Sequence, residues 1–199
     1  MSDSLVHPTF HFNVEEYSNA YDDRTLFYKT GSTQIVIRMD SNSKDVHDWS
    51  CSIEEINGDK NDNNMYLPIF LSFLDKELVS VLRDEMGYSQ DSAELFMQEK
   101  LKFLGIVSEF FSNHSNCRFS IEVDCDIDYA HDKFFVQFGN ESASLNYIPS
   151  GYGIDPEYRI NISFFDKIPS VQKYIKVFKA GEKIDDIFSV IKNDLEKMK

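Results

Sequence analysis

Arg118-Phe119-Ser120-Ile121-Glu122-Val123-Asp124-Cys125-Asp126-Ile127-Asp128 is the stretch that decides the fold. Its odd positions are apolar and its even positions polar or charged. That is the two-residue period of a strand with one face on a core and one in water; a helix would scatter the same residues around its circumference. The stretch therefore predicts one long half-buried strand. Downstream, Phe134, Val136 and Phe138 repeat the pattern and end at Gly139-Asn140, a turn signal. Leu145 and Tyr147 make a short strand, and Tyr158, Ile160, Ile162 and Phe164 a clear one. Short connections between such segments favour an antiparallel meander.

Upstream, alternation marks Phe10, Phe12 and Val14, then Ile35, Ile37 and Met39 after Gly31-Ser32, then Trp49, Cys51 and Ile53, with a weaker case at Leu26 and Tyr28. The polar stretches Asp40 to Asp48 and Asn57 to Asn64 are expected to be exposed loops, the second being the best candidate linker. Between the β-rich parts the period changes to three and four. Phe70, Leu71, Leu74, Leu78, Val81 and Leu82 predict a helix from Leu67 to Met86, with Pro68 in its first turn and Gly87 at its C-terminal cap. Leu95, Phe96, Phe103, Leu104, Val107, Phe110 and Phe111 predict a second helix to about Ser112, capped by Asp91 or Ser92. Together they suggest a helical hairpin against a sheet. At the end, Pro169-Ser170 can open a helix bearing Val171, Tyr174, Ile175 and Phe178, with a strand over 173–178 as the alternative. A cleaner amphipathic helix carries Ile184, Ile187, Phe188, Ile191, Leu195 and Met198 on one stripe. The expected fold class is α+β: mainly antiparallel sheet, a central helical hairpin and C-terminal amphipathic helices. It forms a single domain over residues 1–199, with a weak subdivision into 1–65 and 66–199.

Charge narrows the function classes. Among 199 residues, 20 Lys+Arg face 34 Asp+Glu, a net charge of −14. Residues 1–165 carry −16 and residues 166–199 carry +2. A nucleic-acid backbone or an anionic membrane surface needs the opposite sign, so neither is an expected partner. The longest mostly apolar stretch, Tyr66 to Leu74, is far below the ~20 residues of a spanning helix, and Met1 to Ser4 lack the features of a secretory signal. A cytoplasmic location is the expectation. Cys51, Cys117 and Cys125 are odd in number and show no CxxC spacing, which reads as buried thiols rather than a disulfide framework. The sequence carries no GxGxxG, P-loop, GxSxG or HExxH, so no catalytic residue, metal ligand or cofactor is assigned and a non-enzymatic role is expected. His7 and His11 share a strand-like face, but a third ligand is not in sight.

If the deciding stretch is one strand, Glu122, Asp124, Asp126 and Asp128 line the face opposite the apolar one, about 6.6–6.8 Å apart. Three roles suit such a row: a polar sheet face in water, an anionic docking strip for a basic protein, or a divalent-metal or acid–base site. The sign of the whole chain favours the docking strip over the third role. The Pro/Gly-fixed loop Tyr147 to Pro156 adds Tyr147, Tyr152 and Asp155 as candidate partner-binding residues. Asp22-Asp23, Asp45, Asp48, Asp59 and Asp62 either extend the negative field or are plain polar turns.

In size and acidity the chain is similar in kind to the immunity proteins that protect bacteria from their own nuclease toxins, a likeness of composition without a shared motif. It implies a cytoplasmic module that steers onto a basic toxin domain and covers its active surface. A carboxylate- or metal-dependent hydrolase is one alternative. The other is a chaperone or adaptor for a secreted client, dimerising through the last helix.

Overall fold

Alternation in the sequence becomes strand almost wherever it occurs. The computed structural model describes residues 9–18, 24–43, 46–55, 66–85, 87–111, 117–124, 131–148, 155–165, 171–179 and 181–199. Four strands come first: β1 (Asn13–Ser18), β2 (Arg24–Thr30), β3 (Thr33–Ser43) and β4 (Val46–Glu55). Three helices follow, α1 (Tyr66–Lys76), α2 (Leu78–Asp84) and α3 (Gln90–Phe110). Then come β5 (Cys117–Asp124), β6 (His131–Phe138), β7 (Glu141–Ile148), β8 (Glu157–Phe165), β9 (Val171–Lys179) and α4 (Ile184–Met198). The strands form one sheet in the order β1 to β9, every neighbouring pair antiparallel. The fold is thus mixed α+β with an antiparallel sheet. The sheet runs across the boundary between residues 1–65 and 66–199 through a narrow seam, Trp49 to Ser52 against Ser120 to Val123.

One face of this sheet is apolar and carries the helices. Leu26, Tyr28, Ile35, Ile37, Met39 and Cys51 are buried there from the first four strands, and Phe134, Val136, Phe138, Leu145, Ile160 and Ile162 from the later ones. Phe73 of α1 meets Tyr28 at 5.1 Å between ring centroids and Phe12 at 6.0 Å. Phe103 of α3 reaches Phe134 at 6.1 Å and Phe188 of α4 at 6.4 Å. Lys100 is fully buried in the same layer, its ammonium 4.4 Å from the Phe96 ring centroid; it stands on the buried stripe of α3, four residues after Phe96 and three before Phe103, and the cation–π contact offsets part of the cost of burying its charge. Gly31 and Gly139 open the two-residue turns between Thr30 and Thr33 and between Phe138 and Glu141. Their φ values of 59° and 63° explain why glycine stands there.

Several expectations need correction. Residues 171–179 are not a helix: all nine pair with β8, from Glu157↔Lys179 to Phe165↔Val171. Their apolar residues fit both periods, and the open hydrogen-bonding edge of β8 decides between them. The expected C-terminal amphipathic helices therefore reduce to α4. The stretch Asp40 to Asp48 is mostly hairpin, because pairing extends outward from Ile37↔Cys51 and Met39↔Trp49, with a register shift between Asp40 and Ser43. The helix expected over Leu67–Met86 is α1 and α2, interrupted at Glu77 yet still bridged by Glu77 N–H to the Phe73 carbonyl at 2.8 Å. The helical hairpin is therefore a three-helix insert. Phe10 and Phe12 precede β1 and pack against the core. The described part of the long strand is Cys117–Asp124, and Cys125 to Asp128 and Asn57 to Asn64 lie outside the described residues.

The cap of α3 is Ser89, one turn earlier than Asp91 or Ser92; its hydroxyl accepts the Ser92 N–H at 3.2 Å. Ser89→Ala should cost about 0.5–2 kcal/mol, read as a lower urea midpoint at unchanged slope; an unchanged midpoint would show that the cap is replaced by water.

Tyr28 gives a pH prediction. Burial, reinforced by the carboxylates of Glu77 and Glu85, pushes its phenol from 10.0 up to about 12. The folded protein holds this proton to higher pH than the unfolded chain, so the stabilisation is complete below pH 10.0 and is lost as pH rises toward about 12. Tyr174, raised by burial and by its bond to Asp194, acts with the same sign. Tyr28→Phe should make the melting temperature fall less steeply across that window; an unaltered slope would show that Tyr28 does not contribute.

Candidate functional site

In an antiparallel meander every second connection leaves the same end of the sheet. The strand ends on either side of residues 19–23, 44–45, 125–130 and 149–154 all lie at one end, together with the C-terminal end of β9. The described strand ends there carry Asp40, Asp48, Asp124, Asp132 and Glu157, and Asp155 directly precedes β8.

Register arranges part of this set into a row. Asp40 of β3 is the direct cross-strand partner of Asp48 of β4. The last β4–β5 pair is Trp49↔Val123, and one position beyond it stand Asp48 and Asp124. Asp124 in turn pairs with His131 of β6. Residues in cross-strand register share a face, and this row falls on the face opposite the helices, since Met39 and Cys51 on the adjoining parity are buried under them. Neighbouring strands lie about 4.7–4.9 Å apart, closer than the 6.6–6.8 Å between same-face residues along one strand.

An acidic row thus runs across strands at the sheet end. Of the residues singled out beforehand, Glu122 and Asp124 lie in β5, but Glu122 pairs in register with Lys133. The cross-strand line through it reads Arg38, Ser50, Glu122, Lys133, Asn146, Arg159 and Val177, with charges of both signs. Asp126, Asp128 and Tyr152 lie outside the described residues. Tyr147 is half-buried on the helix face, its ring 5.1 Å from that of Tyr158, whose hydroxyl donates to Glu99 at 3.3 Å. It is therefore less open than a binding anchor would be. Asp155 is exposed. In the sequence Asp40 stands only at the start of an expected loop. The signal that places it is parity: it is in phase with Val36 and Arg38, on the face opposite Ile35, Ile37 and Met39.

Other features fill structural roles. Cys51 is buried and its thiol is pushed upward by desolvation, which suits an unreactive core residue. His11 is exposed and His7 lies outside the described residues. Among the described residues no group of three or more His, Cys, Asp or Glu is placed to hold a metal ion. Nor, among them, is any helix long and apolar enough to cross a membrane. The apolar stripe of α4 (Ile187, Phe188, Ile191 and Leu195) packs inside the chain, so the adaptor role loses the helix seam on which it relied. No family model matches the chain, and neither a curated protein nor a solved structure matches it.

Proposed function

We propose that this chain is a cytoplasmic, acidic protein-binding module that docks onto and neutralises a basic protein, in the manner of an immunity protein against a nuclease-type toxin. The observation that supports this most is the cross-strand row Asp40, Asp48 and Asp124 at the sheet end. Carboxylates spread through a sequence serve solubility wherever they stand. Carboxylates held on adjacent strands at one end give the field a direction, and a directed field speeds encounter with a cation-rich surface. Beside the row this face is mixed: the cross-strand line Phe27, Val36, Ser52, Ser120, Phe135, Ser144, Asn161 and Ile175 joins polar and apolar positions, with Val36 and Ser144 buried. The groove between α3 and α4, lined by Ile106, Phe110 and Leu195, is open to solvent and holds only about 10 Å³, far below the ~300–1,000 Å³ of typical small-molecule sites.

The test is capture on the immobilised chain, at low and at high salt, with Asp48→Lys/Asp124→Lys as the control and the captured proteins identified by mass. The proposal expects a basic protein held at low salt by the unaltered chain and not by the variant, with its enzymatic activity suppressed in the complex. Equal retention by both, or capture without loss of the captured protein's activity, overturns it.

A further inference from the structure

The two sheet edges are guarded differently. At β1, Glu15 is tied to Lys29 and Glu16 to Arg24, which also pairs with Glu85. At β9 the row pointing away from the helices is apolar and open: Val171, Ile175 and Val177 are 54%, 60% and 49% exposed. β9 spans nine residues without an internal proline, and among the described strands it pairs with β8 alone, which makes it an edge of the described sheet. Its charges are Lys173, Lys176 and Lys179, with no acid among them. Lysines on an edge normally repel a second strand, so the question is where they fall if one arrives.

We propose that the chain forms a two-fold symmetric dimer by antiparallel pairing of β9 with β9 of a second copy, centred on Ile175. A two-fold axis perpendicular to the sheet keeps each face continuous, so paired residues must share parity. Centring on Lys176 would set Lys176 against itself and Lys173 against Lys179, and is excluded by like charge. Centring on Tyr174 leaves Lys179 and Phe178 beyond the paired strand. Centring on Ile175 pairs every residue of β9. On the open face it sets Ile175 on Ile175, Val177 on Lys173 and Val171 on Lys179, so no lysine meets a lysine.

The helix face supplies charge complementarity. There the same register sets Lys176 of the second copy opposite Tyr174, whose hydroxyl donates to Asp194 of α4 at 3.0 Å. Asp194 already holds Lys176 of its own chain at 2.6 Å, and its carboxyl is lowered chiefly by that bond. The dimer therefore brings two Asp194 and two Lys176 together about the axis in alternation. Val190, one helical turn from Asp194 on the same flank of α4 and 36% exposed, lies at the rim. The edge also belongs to a C-terminal part with positive net charge, +2 over residues 166–199 against −16 over residues 1–165, so the strongly acidic bodies meet away from most of their like charge.

Sedimentation of the full chain over a wide concentration range tests this. The unaltered chain should show the mass of two copies, dissociating on dilution. Ile175→Lys, at a position exposed enough to leave the core untouched, puts two ammonium groups on the axis and should raise the dissociation constant about tenfold or more. Lys176→Asp should weaken the dimer, and a thermal melt of the same variant separates this from loss of the bridge to Asp194 within the chain: a weaker dimer with the monomer still folded supports the proposal, and an unchanged dissociation constant overturns it. Val14→Lys on the β1 edge should change nothing. A single-chain mass at every concentration overturns the proposal, as does a dimer that Ile175→Lys leaves intact. The axis leaves both acidic ends free, so this outcome is independent of capture of a basic protein.

Discussion

Phe103→Ala is expected to lower the free energy of unfolding by about 3–5 kcal/mol, the largest effect of any single truncation considered for this fold. Phe103 is fully buried, and its ring lies between the sheet, through Phe134, and the C-terminal helix, through Phe188. Removing it leaves a void bounded by three elements that are each held elsewhere, so the site collapses poorly and the cavity cost stays high. Phe110, which is only half-buried and packs on Phe164 at 5.5 Å, should cost less when truncated, because water reaches the vacated volume. Urea titrations of both variants measure the difference. Since domains of this kind are stable by only about 5–15 kcal/mol, the Phe103 variant should unfold at a distinctly lower urea concentration. A loss below about 1 kcal/mol would mean that the helix layer does not depend on this ring.

Asp48→Lys/Asp124→Lys is expected to slow association with the basic partner by about 10- to 1,000-fold at low salt, and far less at high salt. The range follows from the mechanism: the row acts through its field before contact, so its loss appears in the association rate. Stability should move the other way. Asp40 and Asp48 are direct cross-strand partners, and replacing one of two like charges by its opposite should raise stability by about 0.2–1 kcal/mol. A faster-melting, equally fast-binding variant would show that the row is a structural element and not a docking device. Stopped-flow mixing and thermal melts on the same samples give both readouts.

Much of the architecture was legible from residue order because a half-buried strand writes its period into the sequence; Ile35-Ile37-Met39 and Tyr158-Ile160-Ile162 leave little choice. Residues 171–179 were ambiguous for a physical reason. Val171, Tyr174, Ile175 and Phe178 satisfy a helix, Tyr174, Lys176 and Phe178 a strand, and only the unpaired edge of β8 resolves them. The candidate site was legible as composition but not as arrangement. Asp124 stands far along the chain from Asp40 and Asp48, and the alignment of the three depends on two strand registers, β3 with β4 and β4 with β5, each set by the apolar pairs beside it. For the row along β5, the strand period places Glu122 and Asp124 in one strand, but the cross-strand neighbour of Glu122 is Lys133, which a single strand cannot disclose.

The narrow seam between β4 and β5 has a consequence for how the chain reaches this state. Every other adjacent strand pair is joined by a connection of a few residues and can zip up by itself, as hairpins do within microseconds. The seam must bridge residues 56–116 and rests on four register pairs, Trp49↔Val123 to Ser52↔Ser120. Its loop-closure entropy is therefore paid before much pairing repays it. Two locally folded half-sheets waiting on a docked helical insert are the natural late intermediate, and the speed of maturation is set at the middle of the sheet rather than at its ends.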